Sequence, residues 1–142
     1  MKRLLEEKDA FHDKCRERGL KLTPQRLAIY EAMRYSKEHP SIDMVYQKIK
    51  KKFPRISFDT VYRTLITLCD IGLVKPVEGY GYTRRFDPNT GQHHHFHCVK
   101  CQKIVDFYDQ TYDRLTAPSK IAPGYKILSK KVVVEGLCPD CS

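Results

Sequence analysis

The residues best equipped for chemistry stand together in His93-His-His-Phe-His97-Cys98-Val-Lys-Cys101, which holds four of the chain's six histidines and two of its six cysteines. A second pair, Cys138-Pro-Asp-Cys141, follows near the end of the sequence. Two Cys-x-x-Cys pairs have the form of a four-thiolate zinc site, in which each pair supplies one edge of a tetrahedron around Zn(II). The stretch between them, Gln102 to Leu137, is longer than in short zinc ribbons, so a small subdomain must fold between the pairs. Two disulfides or inert thiols are the bland alternative, but thiol pairs in an intracellular protein are more often metal sites. In a strand, His93, His95 and His97 share one face, because the side-chain period is two. Imidazoles on one face with a carboxylate nearby suit a first-row transition metal, and Asp87 and Asp106 flank the run. The alternative is a surface histidine run that holds no ion.

The elements that must position these groups can be read along the chain. It has 142 residues and a formal charge of +9, unevenly spread: residues 1–87 carry 19 Lys/Arg against 12 Asp/Glu, and residues 88–142 carry 7 against 5. A basic front half beside a nearly neutral, cysteine-rich back half suggests a polyanion-binding module joined to a metal module. No segment approaches the run of about 20 apolar residues that spans a membrane, and the first residues lack a secretory apolar stretch. A soluble, cytoplasmic protein is therefore expected.

Apolar residues at helical spacing predict an amphipathic helix over residues 4–18, with Gly19 as its stop and with Cys15, like Cys69, as a small packing residue. Thr23-Pro24 starts a second helix, with Ala28, Ile29, Ala32 and Met33 inward. His39 precedes a proline and so lies on a connector. Ser41 caps a third helix, with Ile42, Val45, Ile49 and Phe53 inward and Lys48, Lys50, Lys51 and Lys52 facing water. Ser57 caps a fourth, Phe58 to about Ile71, with Val61, Leu65 and Leu68 as its core stripe. Its other face shows Thr60, Tyr62, Arg63, Thr64 and Thr67, which is the content of a helix that reads the major groove; an ordinary surface helix is the alternative.

Leu73–Val77 and Tyr82–Phe86, around the turn Glu78-Gly-Tyr-Gly81, predict a β-hairpin whose Arg84 and Arg85 reach backbone phosphate. Three helices and a basic hairpin make a winged helix, here with one extra helix in front. Asp87-Pro-Asn-Thr-Gly-Gln92 reads as a hinge. Beyond it, His93–Cys98 and Ile104–Tyr108 are strand-like. Thr111 to about Ala122 predicts a helix with Tyr112, Leu115 and Ile121 inward, shortened by Pro118. Tyr125–Glu135 predicts a further strand region. The expected fold is α/β (α+β): a winged-helix DNA-binding domain over residues 1–87, a hinge over 88–92, and a small α/β dimerisation and metal-binding domain over 93–142.

Leu22-Thr-Pro-Gln-Arg26, His39-Pro40, Thr60-Val-Tyr-Arg-Thr-Leu65, Gly72-Leu-Val74, Arg85-Phe-Asp87, His93-His-His95, Cys98-x-x-Cys101, Ile104-Val-Asp-Phe107 and Cys138-x-x-Cys141 together resemble the ferric uptake regulator (Fur) family, in that family's order and separations. The resemblance covers about residues 10–141. It implies a homodimeric, metal-dependent repressor that binds a palindromic operator in double-stranded DNA and no membrane. It also implies Zn2+ as a structural ion on Cys98, Cys101, Cys138 and Cys141, and Fe2+ or Mn2+ as a regulatory ion on His39, Asp87, His93, His95 and Asp106. Aspartate at 87 and 106 resembles the peroxide-sensing branch, in which Fe(II) chemistry oxidises a ligand histidine, here His39 or His93, and DNA is released. Tyr62 and Arg63 match the recognition helix, but Arg63 is more like the iron and zinc regulators, so an iron- or zinc-sensing regulator without peroxide chemistry is the alternative. A further metal site of some members is incomplete, with Lys130 and His94 standing where a histidine and an aspartate belong. His97 replaces an apolar residue and is assigned no role.

An enzyme is not expected. A thioredoxin-like oxidoreductase needs its Cys-x-x-Cys near a βαβ pattern, which neither pair has. A zinc deaminase needs His-x-Glu before its cysteines, and no glutamate lies between Glu78 and Glu135. The zincin His-Glu-x-x-His is absent.

Overall fold

The computed structural model describes residues 2–77, 84–116 and 124–142, with side chains described from Asp9 onward. It divides into two compact units, Met1–Thr90 and Gly91–Ser142. Among the described residues no helix is long and apolar enough to cross a membrane.

The first unit contains α1 (Lys2–Glu17), α2 (Pro24–Arg34), α3 (Ile42–Lys52) and α4 (Phe58–Asp70), then β1 (Lys75–Pro76) paired antiparallel with β2 (Phe86–Asp87). The three cap residues expected at helix starts are in place. Thr23 Oγ1 accepts from the Arg26 N–H at 3.2 Å, Ser41 Oγ from Met44 at 3.3 Å, and Ser57 Oγ from Thr60 at 3.1 Å. Each satisfies one of the amide donors that a helix start leaves without a partner. Gly19 and Gly72 follow α1 and α4 at φ +67° and +79°, where a Cβ would be strained.

Apolar stripes from all four helices meet in one core. Phe11 and Cys15 of α1, Ile29 and Met33 of α2, Val45 and Ile49 of α3, and Val61, Leu65 and Leu68 of α4 are buried there, with Val74 and Phe86 beside them. The Phe11 ring stacks on Tyr30 with centroids 4.4 Å apart. Each fully buried large side chain contributes about 1.5–3 kcal/mol, so the extra helix is a working part of the core. The expected hairpin is present as the β1–β2 pair, with Lys75 opposite Asp87. Its expected turn and the residues Tyr82 and Thr83 lie outside the described residues.

The second unit is built on a three-stranded sheet in the order β4-β3-β5. The central strand β3 (His94–Cys98) runs antiparallel to β4 (Ile104–Phe107) and parallel to β5 (Val133–Gly136). A parallel partner needs a long crossover, and residues 99–132 supply it. A Cβ at Gly136 would sit 3.3 Å from the Phe96 ring, so glycine lets β5 lie beside that aromatic.

Two expectations fail here. Residues 125–132 are not strand, and Ile127 and Leu128 are exposed. Ile127 and Leu128 are neighbours and so cannot share one face of a strand, and the rest of Lys126–Lys131 is polar; contact with β3 starts where the His95 N–H donates to the Val132 carbonyl at 3.2 Å, and the ladder proper starts at Val133. The helix expected from Thr111 is the single turn α5 (Gln110–Asp113), capped by Asp109, whose side chain accepts from Thr111 N–H at 2.8 Å. Leu115, expected inward, is exposed past its end. Pro118 and Ile121 lie outside the described residues.

Candidate metal centres and nucleic-acid interface

In the second unit, Cys98 ends β3, Cys101 lies on the turn after it, and Cys138 and Cys141 lie on the turn after β5. The parallel pairing of β3 with β5 sets Cys98 opposite Gly136, which carries the two turns to the same end of the sheet. All four sulfurs fall within 4.8 Å of one another. A tetrahedron of Zn–S bonds of about 2.3 Å has edges of about 3.8 Å, and Cys101 Sγ lies 3.7 Å from Cys138 Sγ. The four thiols are unbridged and fit the ion. Cys98 Sγ accepts the N–H groups of Cys101 at 3.5 Å and Cys138 at 3.4 Å. These backbone donors, Cys101 first, hold its pKa down at about 6. Cys141 goes the other way, to about 12, chiefly through the side-chain hydrogen bond with Cys138. One ready thiolate beside reluctant thiols is what a divalent cation resolves, because coordination needs the deprotonated form.

The sheet register also sets the histidines. His95 is opposite Asp106 on β4, a cross-strand distance that side chains span. His95 Nε2 lies 3.1 Å from Asp106 Oδ1, and His93 Nε2 lies 3.0 Å from His95 Nε2 and 3.6 Å from the same oxygen. His93 Nδ1 donates to the Gly91 carbonyl at 2.7 Å. A carbonyl can only accept, so the His93 Nε2 lone pair is the one turned toward its neighbours. An ion with bonds of about 2.1 Å has donor–donor edges of about 3.0 Å in octahedral and about 3.4 Å in tetrahedral geometry. His93, His95 and Asp106 match that spacing as they stand.

His94 points to the other face of β3, as period two requires. It is fully buried and makes a hydrogen bond of its own, Nε2 to Asp113 Oδ1 at 2.6 Å, while its Nδ1 accepts from the Val132 N–H at 3.1 Å. That acceptor role places the proton on Nε2, so His94 ties β3 to α5 and to the residue before β5. His97 is buried opposite Ile104.

The first unit brings together His39 and Asp87, 48 positions apart in the sequence. His39 lies between α2 and α3, Asp87 ends β2, and both are buried. His39 Nε2 is 3.5 Å from Asp87 Oδ2, and Asp87 Oδ1 accepts from the Asn89 N–H at 2.9 Å. This pair also has the spacing of two donors on one ion.

On α4, Tyr62 is 40% exposed and the Arg63 side chain 79% exposed. Thr60 shares its hydroxyl with Ser57 Oγ at 2.8 Å. Thr64 departs from expectation: it is only 8% exposed and donates its hydroxyl to the Thr60 carbonyl at 2.8 Å. It lines the floor of a groove beside Thr60 and Arg63. Arg84 is exposed, as a phosphate contact requires. Arg85 is not turned outward: its guanidinium donates to the carbonyls of Glu38 and His39, and burial pulls its pKa down, offset in part by Glu38.

Two features of this face escape the sequence reading. Lys21, ahead of α2, and Gln25 and Arg26 in its first turn join Thr60 and Arg63 around a groove of about 350 Å³. Asp59 pairs with Arg63 at 2.9 Å one turn away; that i,i+4 spacing was visible in the sequence.

The model of the "Ferric uptake regulator family" matches residues 17–135. The "Peroxide-responsive repressor PerR" of Staphylococcus epidermidis is 36% identical over 126 residues, covering 89% of this chain and 84% of that protein. The crystal structure of the Campylobacter jejuni peroxide stress regulator aligns with a TM-score of 0.64 at 29% identity, covering 99% of this chain and all of that one. The Helicobacter pylori ferric uptake regulator aligns with a TM-score of 0.74 at 22% identity over 94% and 89%, a likeness of fold.

Proposed function

Because this chain belongs to the ferric uptake regulator family of metal-dependent transcriptional regulators, which are not enzymes, we propose that it is a DNA-binding repressor of the peroxide-sensing branch. In this reading it acts as a homodimer on a palindromic operator. One observation carries it: buried histidines and the carboxylates of Asp87 and the partly exposed Asp106 stand at coordination spacing on each side of the boundary between Thr90 and Gly91. Asp87 and His93 are its nearest flanking members. A single Fe(II) or Mn(II) held by His39, Asp87, His93, His95 and Asp106 restrains the two units against each other, while Zn(II) on the four cysteines holds the second unit together.

The dimer then reads DNA with α4. Tyr62 and Arg63 enter the major groove, Thr60 supports them at the helix start, and Arg84 meets phosphate. Moving such an equilibrium from mostly unfit to mostly fit for DNA takes about 5.5 kcal/mol of preference for one arrangement, within reach of five coordinating side chains. His39 and His93 would hold Fe(II) with the other three ligands, and bound Fe(II) would supply the redox chemistry by which hydrogen peroxide, the two-electron oxidant, gives one oxygen to an imidazole and leaves as water; the oxidised His39 or His93 would hold metal less well and the operator would be freed.

Aspartate at 87 and 106 and the 36% identity to a peroxide-responsive repressor favour this branch. Arg63 on α4 favours the second reading, an iron- or zinc-sensing regulator without peroxide chemistry.

The test has two parts. A gel shift with and without Mn(II) is expected to show metal-dependent operator binding; metal-independent binding would count against the regulator. Peroxide treatment of the Fe(II) and Mn(II) forms, followed by peptide mass spectrometry, is expected to add one oxygen to the His39 or His93 peptide of the Fe(II) form alone. An unmodified Fe(II) form leaves the iron sensor.

A further inference from the structure

His39 has an unusual backbone. Its φ is +51°, in the left-handed region that non-glycine residues avoid at a cost of about 1–3 kcal/mol, and it precedes Pro40, which narrows its choices further. Such a conformation persists only where the surroundings impose it. Here residues 85 and 86 do so. Arg85 Nε donates to the His39 carbonyl and Arg85 Nη2 to the Glu38 carbonyl, the latter at 2.6 Å. Phe86 N–H donates to the Pro40 carbonyl at 3.0 Å, and Arg85 bridges Ser41 across the backbone. The next residue is Asp87, whose carboxylate faces His39 Nε2.

We propose that Arg85 is a positioning residue for the regulatory metal: its guanidinium fork holds the strained Glu38–His39 segment so that His39 and Asp87 present their donors to one point. The inference rests on the regulatory site proposed above. Guanidinium suits the task because its donors are fixed in a plane and span two adjacent carbonyls, which a lysine ammonium on a flexible stem does not reproduce. The pairing also explains why an arginine next to an exposed one, Arg84, is turned inward and half-buried. A basic residue on the hairpin thereby acts on metal affinity rather than on DNA directly.

Arg85→Lys tests this in the full-length, zinc-loaded protein, because it keeps the charge a phosphate contact would need and removes the fork. Mn(II) affinity, read by titration calorimetry, is expected to fall about 10- to 100-fold, the usual effect of removing a group that orients a metal ligand. Zinc content should stay that of the unmodified protein, and operator affinity at saturating Mn(II) should be retained. Val74→Ala, a buried core change in the same unit, controls for general loosening. The proposal is overturned by Mn(II) affinity within twofold of wild type in Arg85→Lys, by an equal loss in Val74→Ala, or by operator affinity that falls while Mn(II) affinity holds. His39→Ala separates the two levels. If it keeps wild-type Mn(II) affinity, the metal-site reading fails; if it loses affinity and Arg85→Lys does not, only the clamp fails.

Discussion

Arg63→Ala separates base reading from charge attraction. In the free protein Arg63 pairs with Asp59 at 2.9 Å, with side chains 79% and 64% exposed. An exposed i,i+4 pair is worth about 0.3–0.5 kcal/mol, and alanine is the best helix former. Folding stability should therefore move by less than about 0.5 kcal/mol. On DNA, an arginine bonded through two donors to guanine contributes about 1–3 kcal/mol of discrimination at each half-site. A dimer on a palindrome uses it twice, so about 2–6 kcal/mol is lost, which is at least about 30-fold in operator affinity. The assay is fluorescence anisotropy of the Mn(II)-saturated protein on operator and scrambled duplexes at one fixed salt concentration. Operator affinity should collapse toward the scrambled value, and scrambled affinity should fall only slightly. An equal fall on both duplexes would make Arg63 a phosphate contact and refute the argument. Asp59→Asn should act oppositely. It frees Arg63 and removes a negative charge near phosphate, raising both affinities severalfold and leaving their ratio to Arg63.

Further outcomes follow from the same geometry. Cys138→Ser removes one corner of the thiolate cluster and should abolish zinc retention, read by metal analysis, with loss of cooperative unfolding of residues 91–142, since metal affinity and folding are linked there. Asp113→Ala leaves the buried His94 Nε2–H without its acceptor and should cost about 1–3 kcal/mol in urea unfolding; a cost under about 0.5 kcal/mol would show the bond to be idle. Cys69 is held up at about 11 by burial, with Arg84 pulling it down and Asp70 pushing it up. Its folded pKa exceeds the ordinary value of 9.0, so its contribution to stability is present below about pH 9 and lost as pH rises from there through about 11. Iodoacetamide labelling of its peptide should accordingly climb about tenfold per pH unit beyond pH 9; a plateau at pH 9 would contradict that.

Much of this protein follows from short-range rules. Thr23, Ser41 and Ser57 start helices because a side-chain oxygen two or three residues before an amide can cap it, and that depends on neighbours in sequence alone. Val61, Leu65 and Leu68 are inward because the helical period puts them on one stripe. Two Cys-x-x-Cys pairs announce a tetrahedral site because each pair already has its edge length.

Tertiary structure alone decided the rest. Asp106 joins His93 and His95 because the β3–β4 register sets it opposite His95, and a shift of one residue would have turned it to the other face. Thr64 and Arg85 look like freely exposed DNA contacts by residue type, but the hydroxyl of the first, at the floor of the α4 groove, is given to the Thr60 carbonyl, and the guanidinium of the second is drawn to the carbonyls of Glu38 and His39. The partners of His94, Asp113 and Val132, are likewise far away in sequence. Residues 125–132 have strand-like apolar residues yet are not strand, and Ile127 and Leu128 stay exposed, because a strand needs a face to bury as well as propensity. Local pattern specifies what each segment can become; contacts between distant segments settle which polar side chains stay exposed, as Arg63 and Arg84 do, and which turn inward to bond backbone carbonyls, as Arg85 does.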